Sequence, residues 1–98
     1  MPDGFRAKFT VDGIKYRVDY DKKGNYQHTE RTYSEKYLPN DIRSIVKSTY
    51  YDYAITQVEE VTKPHTETTY VVHLEGKQNW INVRVQNGEI EEFQKFGK

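Results

Sequence analysis

The chain has 98 residues, the length of one domain, with 15 basic and 15 acidic side chains, 35% apolar residues and no cysteine. A formal charge of zero removes the electrostatic case for binding nucleic acid or an anionic membrane surface. The absence of cysteine excludes disulfides, thiol catalysis and cysteine-ligated metal, and no apolar run approaches the roughly 18 residues of a membrane-spanning helix.

Met1-Pro2-Asp3-Gly4 has none of the features of a signal peptide. Residues 5–11 then alternate strictly, with Phe5, Ala7, Phe9 and Val11 on one face and Arg6, Lys8 and Thr10 on the other. Asp12-Gly13 is a two-residue hairpin signal, since a type I′ turn needs positive φ at both central positions. Residues 14–20 alternate again, setting Ile14, Tyr16, Val18 and Tyr20 against Lys15, Arg17 and Asp19. After the turn at 21–25, residues 26–33 predict a third strand with polar side chains in both phases.

A single helix is predicted at about 39–51. Ile42, Ile45, Val46 and Tyr50 form its apolar stripe, and Pro39 suits its first turn. Residues 54–62 predict a strand of mixed phase: Ile55 and Val61 share one face and Val58 lies on the other, as a bulge or a strand buried on both sides would produce. Strands follow at 68–75 and 80–86. The second points Ile81, Val83 and Val85 inward and Trp80, Asn82 and Arg84 outward. Asn87-Gly88 is a second I′ hairpin signal, and residues 89–96 close the order, with Ile90 and Phe93 out of phase.

The predicted fold is α+β: an antiparallel meander of order β-β-β-α-β-β-β-β, curled around the single helix. Nine tyrosines compensate for the low apolar content, because a tyrosine ring packs while its hydroxyl stays wet. Strands lie about 4.8 Å apart and a helix is about 10 Å wide, so one helix cannot cover seven flat strands. Either the sheet curls, or the face of Phe5, Phe9 and Tyr16 meets another cover. A partner protein or a second copy in a homodimer would serve.

The run Leu38-Pro39, the apolar Ile42, Ile45 and Val46 and the Tyr-rich helix end lead into Ala54-Ile55 with Val58-Glu59. Tyr70-Val71-Val72-His73-Leu74 and a strand–Asn-Gly–strand hairpin complete the pattern. It resembles one repeat of the PepSY-like, β-lactamase-inhibitor-like proteins secreted by Bacteroidetes-type bacteria. Residues 5–33, with YRVDYDKKGNY at 16–26, resemble the last three strands of a preceding repeat. The resemblance implies a single domain over 1–98, with a three-strand partial repeat (5–33) and a helix plus four-strand repeat (38–96). It implies a cystatin-like wrap of sheet on helix, a periplasmic or secreted location, and no catalytic residues or cofactor.

No G-x-S-x-G, H-E-x-x-H or phosphate-cradling glycine loop is present, so the chain is not read as an enzyme. The pairs His73/Glu75 and His28/Glu30 supply two ligand types each on one strand face, too few for a metal site. The candidate binding surface is outward-facing Trp80 and Arg84 with Val71 and His73 of the neighbouring strand, since Trp and Arg dominate interface hot spots. The expected function is a non-catalytic extracytoplasmic module binding a protein or peptide. Inhibition of a secreted protease or other hydrolase is the alternative.

Overall fold

The computed structural model describes residues 4–98, so the reading of Met1-Pro2-Asp3 lies outside the described residues. The strands are β1 (Gly4–Val11), β2 (Ile14–Asp21), β3 (Tyr26–Tyr33), β4 (Ala54–Thr62), β5 (Thr69–Glu75), β6 (Asn79–Gln86) and β7 (Glu89–Gly97). A 3-10 turn, Glu35–Tyr37, and helix α1, Asn40–Thr49, link β3 to β4. The strands form one sheet in chain order, and each pair of neighbours is antiparallel.

The hairpin signals act as their chemistry requires. Asp12 and Gly13 hold φ of 52° and 81°, and Asn87 and Gly88 hold 55° and 75°. These turns fix the register and therefore which side chains share a face.

Helix α1 is shorter than expected from the apolar stripe. Pro39 lies just outside its first turn, extended at φ −56° and ψ 142°, and its carbonyl accepts the Arg43 N–H at 2.9 Å. At the other end Tyr50 has left helical geometry. The helix seats Val46, with no exposed surface, against Val58, Val72, Leu74, Ile81, Val83 and Val85, while Ile42, Ile45 and Tyr50 pack at the margin. Burying each of these aliphatic side chains contributes roughly 1.5–3 kcal/mol. That holds a helix of ten residues that would be marginal alone.

The mixed phase of β4 has the anticipated cause and a different outcome. The register shifts between Ile55 and Gln57, so Ile55 and Val58 both enter the core beside Leu74 and Val72. Val61 falls on the opposite face and Glu60 takes the inward position, only 5% exposed. Glu60 accepts a hydrogen bond from Tyr33 Oη at 2.5 Å and is ion-paired with Arg31. The polar third strand is thus polar partly to serve a buried carboxylate. Burial pushes the Tyr33 phenol up to about 12.

The helix covers the half of the sheet centred on β4–β6. On the same side of β1 and β2, Phe5 and Phe9 remain 63% and 48% exposed. Phe9 stacks on Tyr16 with ring centroids 4.9 Å apart. The hairpin is tied to the helical connection by Tyr37 Oη, which donates to the Asp12 carbonyl at 2.9 Å.

Candidate binding face

The sheet face opposite α1 carries the side chains that alternate with the core. Across β5, β6 and β7 the register sets Val71 beside Arg84 and Glu91, His73 beside Asn82 and Gln94, and Glu75 beside Trp80 and Phe96. The structure therefore brings Trp80, Arg84, Val71 and His73 onto one surface, and Trp80 is 43% exposed there. Phe5, Phe9 and Tyr16 lie on the other side of the sheet, so the two sets cannot meet one flat partner.

A polar ladder crosses the middle of the surface. His73 Nε2 lies 3.1 Å from Glu59 Oε1 and its Nδ1 lies 2.6 Å from Asn82 Oδ1, while Asn82 Nδ2 donates to Gln94 Oε1 at 2.7 Å. Four neighbouring strands are linked in this way, and the ring of His73 is fixed at both nitrogens.

Aromatic–cation pairs flank the ladder. On one side the Lys98 ammonium sits 5.0 Å from the Trp80 ring centroid and 2.7 Å from Glu75 Oε2. On the other, the Arg84 guanidinium lies 4.7 Å from the Phe93 centroid and donates to Glu91 Oε1 at 2.7 Å. These cations hold the rings in place while leaving them accessible to solvent.

Phe93, Phe96 and Lys98 did not follow from the sequence pattern. Strict alternation from Glu89 would send Phe96 to the helix side. The register shift between Asn82 and Val83 leaves Phe93 as the extra residue of a bulge and carries Gln94 and Phe96 onto the helix-free face. The phase conflict between Ile90 and Phe93 was its only signal in the sequence.

Among the described residues, one cluster has metal-ligating chemistry: Asp19, His28 and Glu30 on the helix-free face of β2 and β3. His28 Nε2 lies 3.1 Å from Asp19 Oδ2 and 3.5 Å from Glu30 Oε2. Both carboxylates already hold a guanidinium, Arg6 at 2.8 Å from Asp19 and Arg17 on Glu30. The hydrogen bond from Arg6 keeps the Asp19 carboxyl below its ordinary range. A cation would have to displace two arginines, so the cluster reads as an ion-pair network. Glu75 is engaged by Lys98, away from His73's own partners. His65 stands at the tip of the 63–67 loop, with φ of 63°.

The family model described as "Putative beta-lactamase-inhibitor-like, PepSY-like" matches residues 3–92. No curated protein matches the chain. Among solved structures, a BLIP-like protein from Bacteroides fragilis is 19% identical, with a TM-score of 0.72 over 99% of this chain and 70% of its own. A DUF2874 family protein from Bacteroides uniformis is 13% identical, with a TM-score of 0.73 over 97% of this chain and 71% of its own. A protein from Bacteroides eggerthii described as a "putative periplasmic" protein is also 13% identical, with a TM-score of 0.73 over 97% of this chain and 70% of its own. At these identities the likeness is one of fold.

Proposed function

Because the chain belongs to the PepSY-like, β-lactamase-inhibitor-like family, we propose that it is a non-catalytic extracytoplasmic module that binds a protein or peptide on the helix-free face of β5–β7. The observation that carries this reading is the exposed aromatic and cationic surface of Trp80, Phe93, Phe96 and Arg84, fixed in place by cross-strand contacts. Trp80 is the anchor, Arg84 the orienting cation, and Val71 and His73 the floor. A surface already held rigid loses little side-chain freedom on binding. The extracytoplasmic location is supported by the family and by the description of the Bacteroides eggerthii neighbour. We read the wrap of sheet on α1 as cystatin-like, and Phe5, Phe9 and Tyr16 as a second contact face for a partner or another copy.

The test is affinity capture from a Bacteroides envelope extract, comparing wild type with Trp80→Ala. Truncating an anchoring tryptophan is expected to weaken a captured partner by about 30-fold, or roughly 2 kcal/mol. A partner held equally well by both proteins would refute the assignment of this face. The second reading, an inhibitor, is favoured by the family description itself. It requires that a secreted protease or β-lactamase lose activity at micromolar protein and regain it with Trp80→Ala. A full panel left active removes it.

A further inference from the structure

We propose that the cavity between α1 and the 63–68 loop takes a lysine side chain of a protein or peptide partner. The cavity holds about 470 Å³, within the roughly 300–1,000 Å³ of small-ligand sites. None of the residues that line it belongs to β1 or β2; its walls come from α1, the loop, β5, β6 and the Asn87-Gly88 turn.

The floor is apolar and the rim is acidic. Ile42 and Ile45 of α1 line the floor with Tyr70 of β5 and Val85 of β6, which pair across the two strands. Asp41, in the first turn of α1, and Glu67, on the loop, are exposed and line the same cavity. Neither takes part in an ion pair among the described residues. Arg43, close to Asp41 in sequence, is turned to Glu35 at 2.6 Å, and Arg31, two strands from Tyr70, is held by Glu60. The positive end of α1 accounts for a carboxylate at Asp41. It does not account for Glu67, which lies on no helix. Tyr70 joins floor to rim. Burial, and then the charge of Asp41, push its phenol above the ordinary range, so the field of Asp41 reaches into the cavity.

This combination selects an ammonium on an aliphatic stem. A lysine stem packs on apolar surface while its charged head stays at a wet rim. The ammonium carries three donors, and Asp41, Glu67 and the Tyr70 hydroxyl offer it three acceptor groups. A guanidinium is a planar fork suited to a single carboxylate met edge-on, whereas these two carboxylates stand on separate elements. An acidic side chain would be repelled, and an apolar one would desolvate the rim without pairing it. The site also points to a side chain in preference to a free amine. Asn87, at its outer wall, lines as well the cleft that holds Arg84 and Glu91 on the helix-free face. A chain seated by its lysine therefore has a continuous path past the turn. The inference takes its class of partner from the reading above but not its contact face, and the two fail separately.

The probe is the peptide acetyl-Gly-Gly-Lys-Gly-Gly-amide, compared with its norleucine counterpart and with n-butylammonium by titration into isotope-labelled protein followed by amide NMR. The lysine peptide is expected to saturate, to shift the amides of Asp41, Thr68, Tyr70 and Gly88, and to bind about tenfold tighter than the norleucine peptide. Added salt should weaken it. The Asp41→Asn/Glu67→Gln double variant keeps the shape of the rim and should lose the preference, with amide shifts away from the cavity unchanged as the sign of an intact fold. Trp80→Ala should bind the peptide as wild type does. Equal binding of the two peptides, a double variant that binds as wild type, shifts confined to the Trp80 face, or no saturation would each overturn the proposal. Saturation by n-butylammonium with none by the lysine peptide would overturn the assignment to a partner's side chain.

Discussion

Glu60 shows how one side chain can tie two strands together. It sits on β4 facing the helix side, with Tyr33 and Arg31 of β3 supplying its hydrogen bond and ion pair. Glu60→Ala would leave a buried hydroxyl and a half-buried guanidinium without acceptors. The expected loss is about 2–3 kcal/mol in urea unfolding, with Glu60→Gln milder because the Tyr33 hydroxyl keeps an acceptor. Tyr33 also gives the fold an alkaline limit. Its phenol is raised from 10.0 to about 12, so the fold favours the neutral form. That contribution is complete below pH 10.0 and is lost as pH rises toward about 12. Tyr50, raised to about 12 by burial and by its hydrogen bond to Glu92, acts in the same sense. Stability measured from pH 9 to 12 should fall over this window, less steeply for Tyr33→Phe. None of this was legible in the sequence. An alternating Glu looks solvent-facing until the partners that bury it are placed, and the bulge at Ile55–Gln57 is what turns it inward.

The elements were legible to the extent that they depend on local chemistry. Alternation and the two I′ turns place β1, β2, β6 and β7, because strand period and turn geometry act over a few residues. The helix stripe gives α1 and its buried face, but the 3-10 turn at Glu35–Tyr37 has no periodic signature. The bulge in β7 explains why alternation places Trp80 and Arg84 on the helix-free face and yet sends Phe96 to the other: β6 is regular beyond the shift and β7 is not. The elements also differ in support. β5 and β6 lie between two strands and under α1, whereas among the described residues β1 pairs with β2 alone and packs against no helix. Inward amides of β1, such as those of Phe5, Ala7 and Phe9, should exchange with solvent faster than those of Val72 and Val83 by about two orders of magnitude or more. Equal protection across the sheet in native-state hydrogen exchange would mean that the hairpin shares the full stability of the core.

On the scale of the molecule, the sheet is long and the helix short, giving extents of 46 × 26 × 26 Å. The sequence implied this imbalance through strand and helix dimensions alone. It could not say which way it would be resolved. The helix covers one half of the sheet and leaves Phe5 and Phe9 exposed on the other. The proposed contact faces lie at opposite ends of the sheet and on opposite sides of it: the aromatic surface on β5–β7, and the face of Phe5, Phe9 and Tyr16 on β1 and β2. A partner that engages both would bridge the molecule, and a short peptide would engage one.

The bulge at Phe93 has a consequence beyond reorienting side chains. It interrupts the backbone spacing of β7, whose edge also carries Glu89, Glu91, Glu92 and Lys95. An irregular, charged strand is a poor template for a further strand, so β7 discourages edge-to-edge aggregation while its bulge presents Phe93 and Phe96 on the helix-free face.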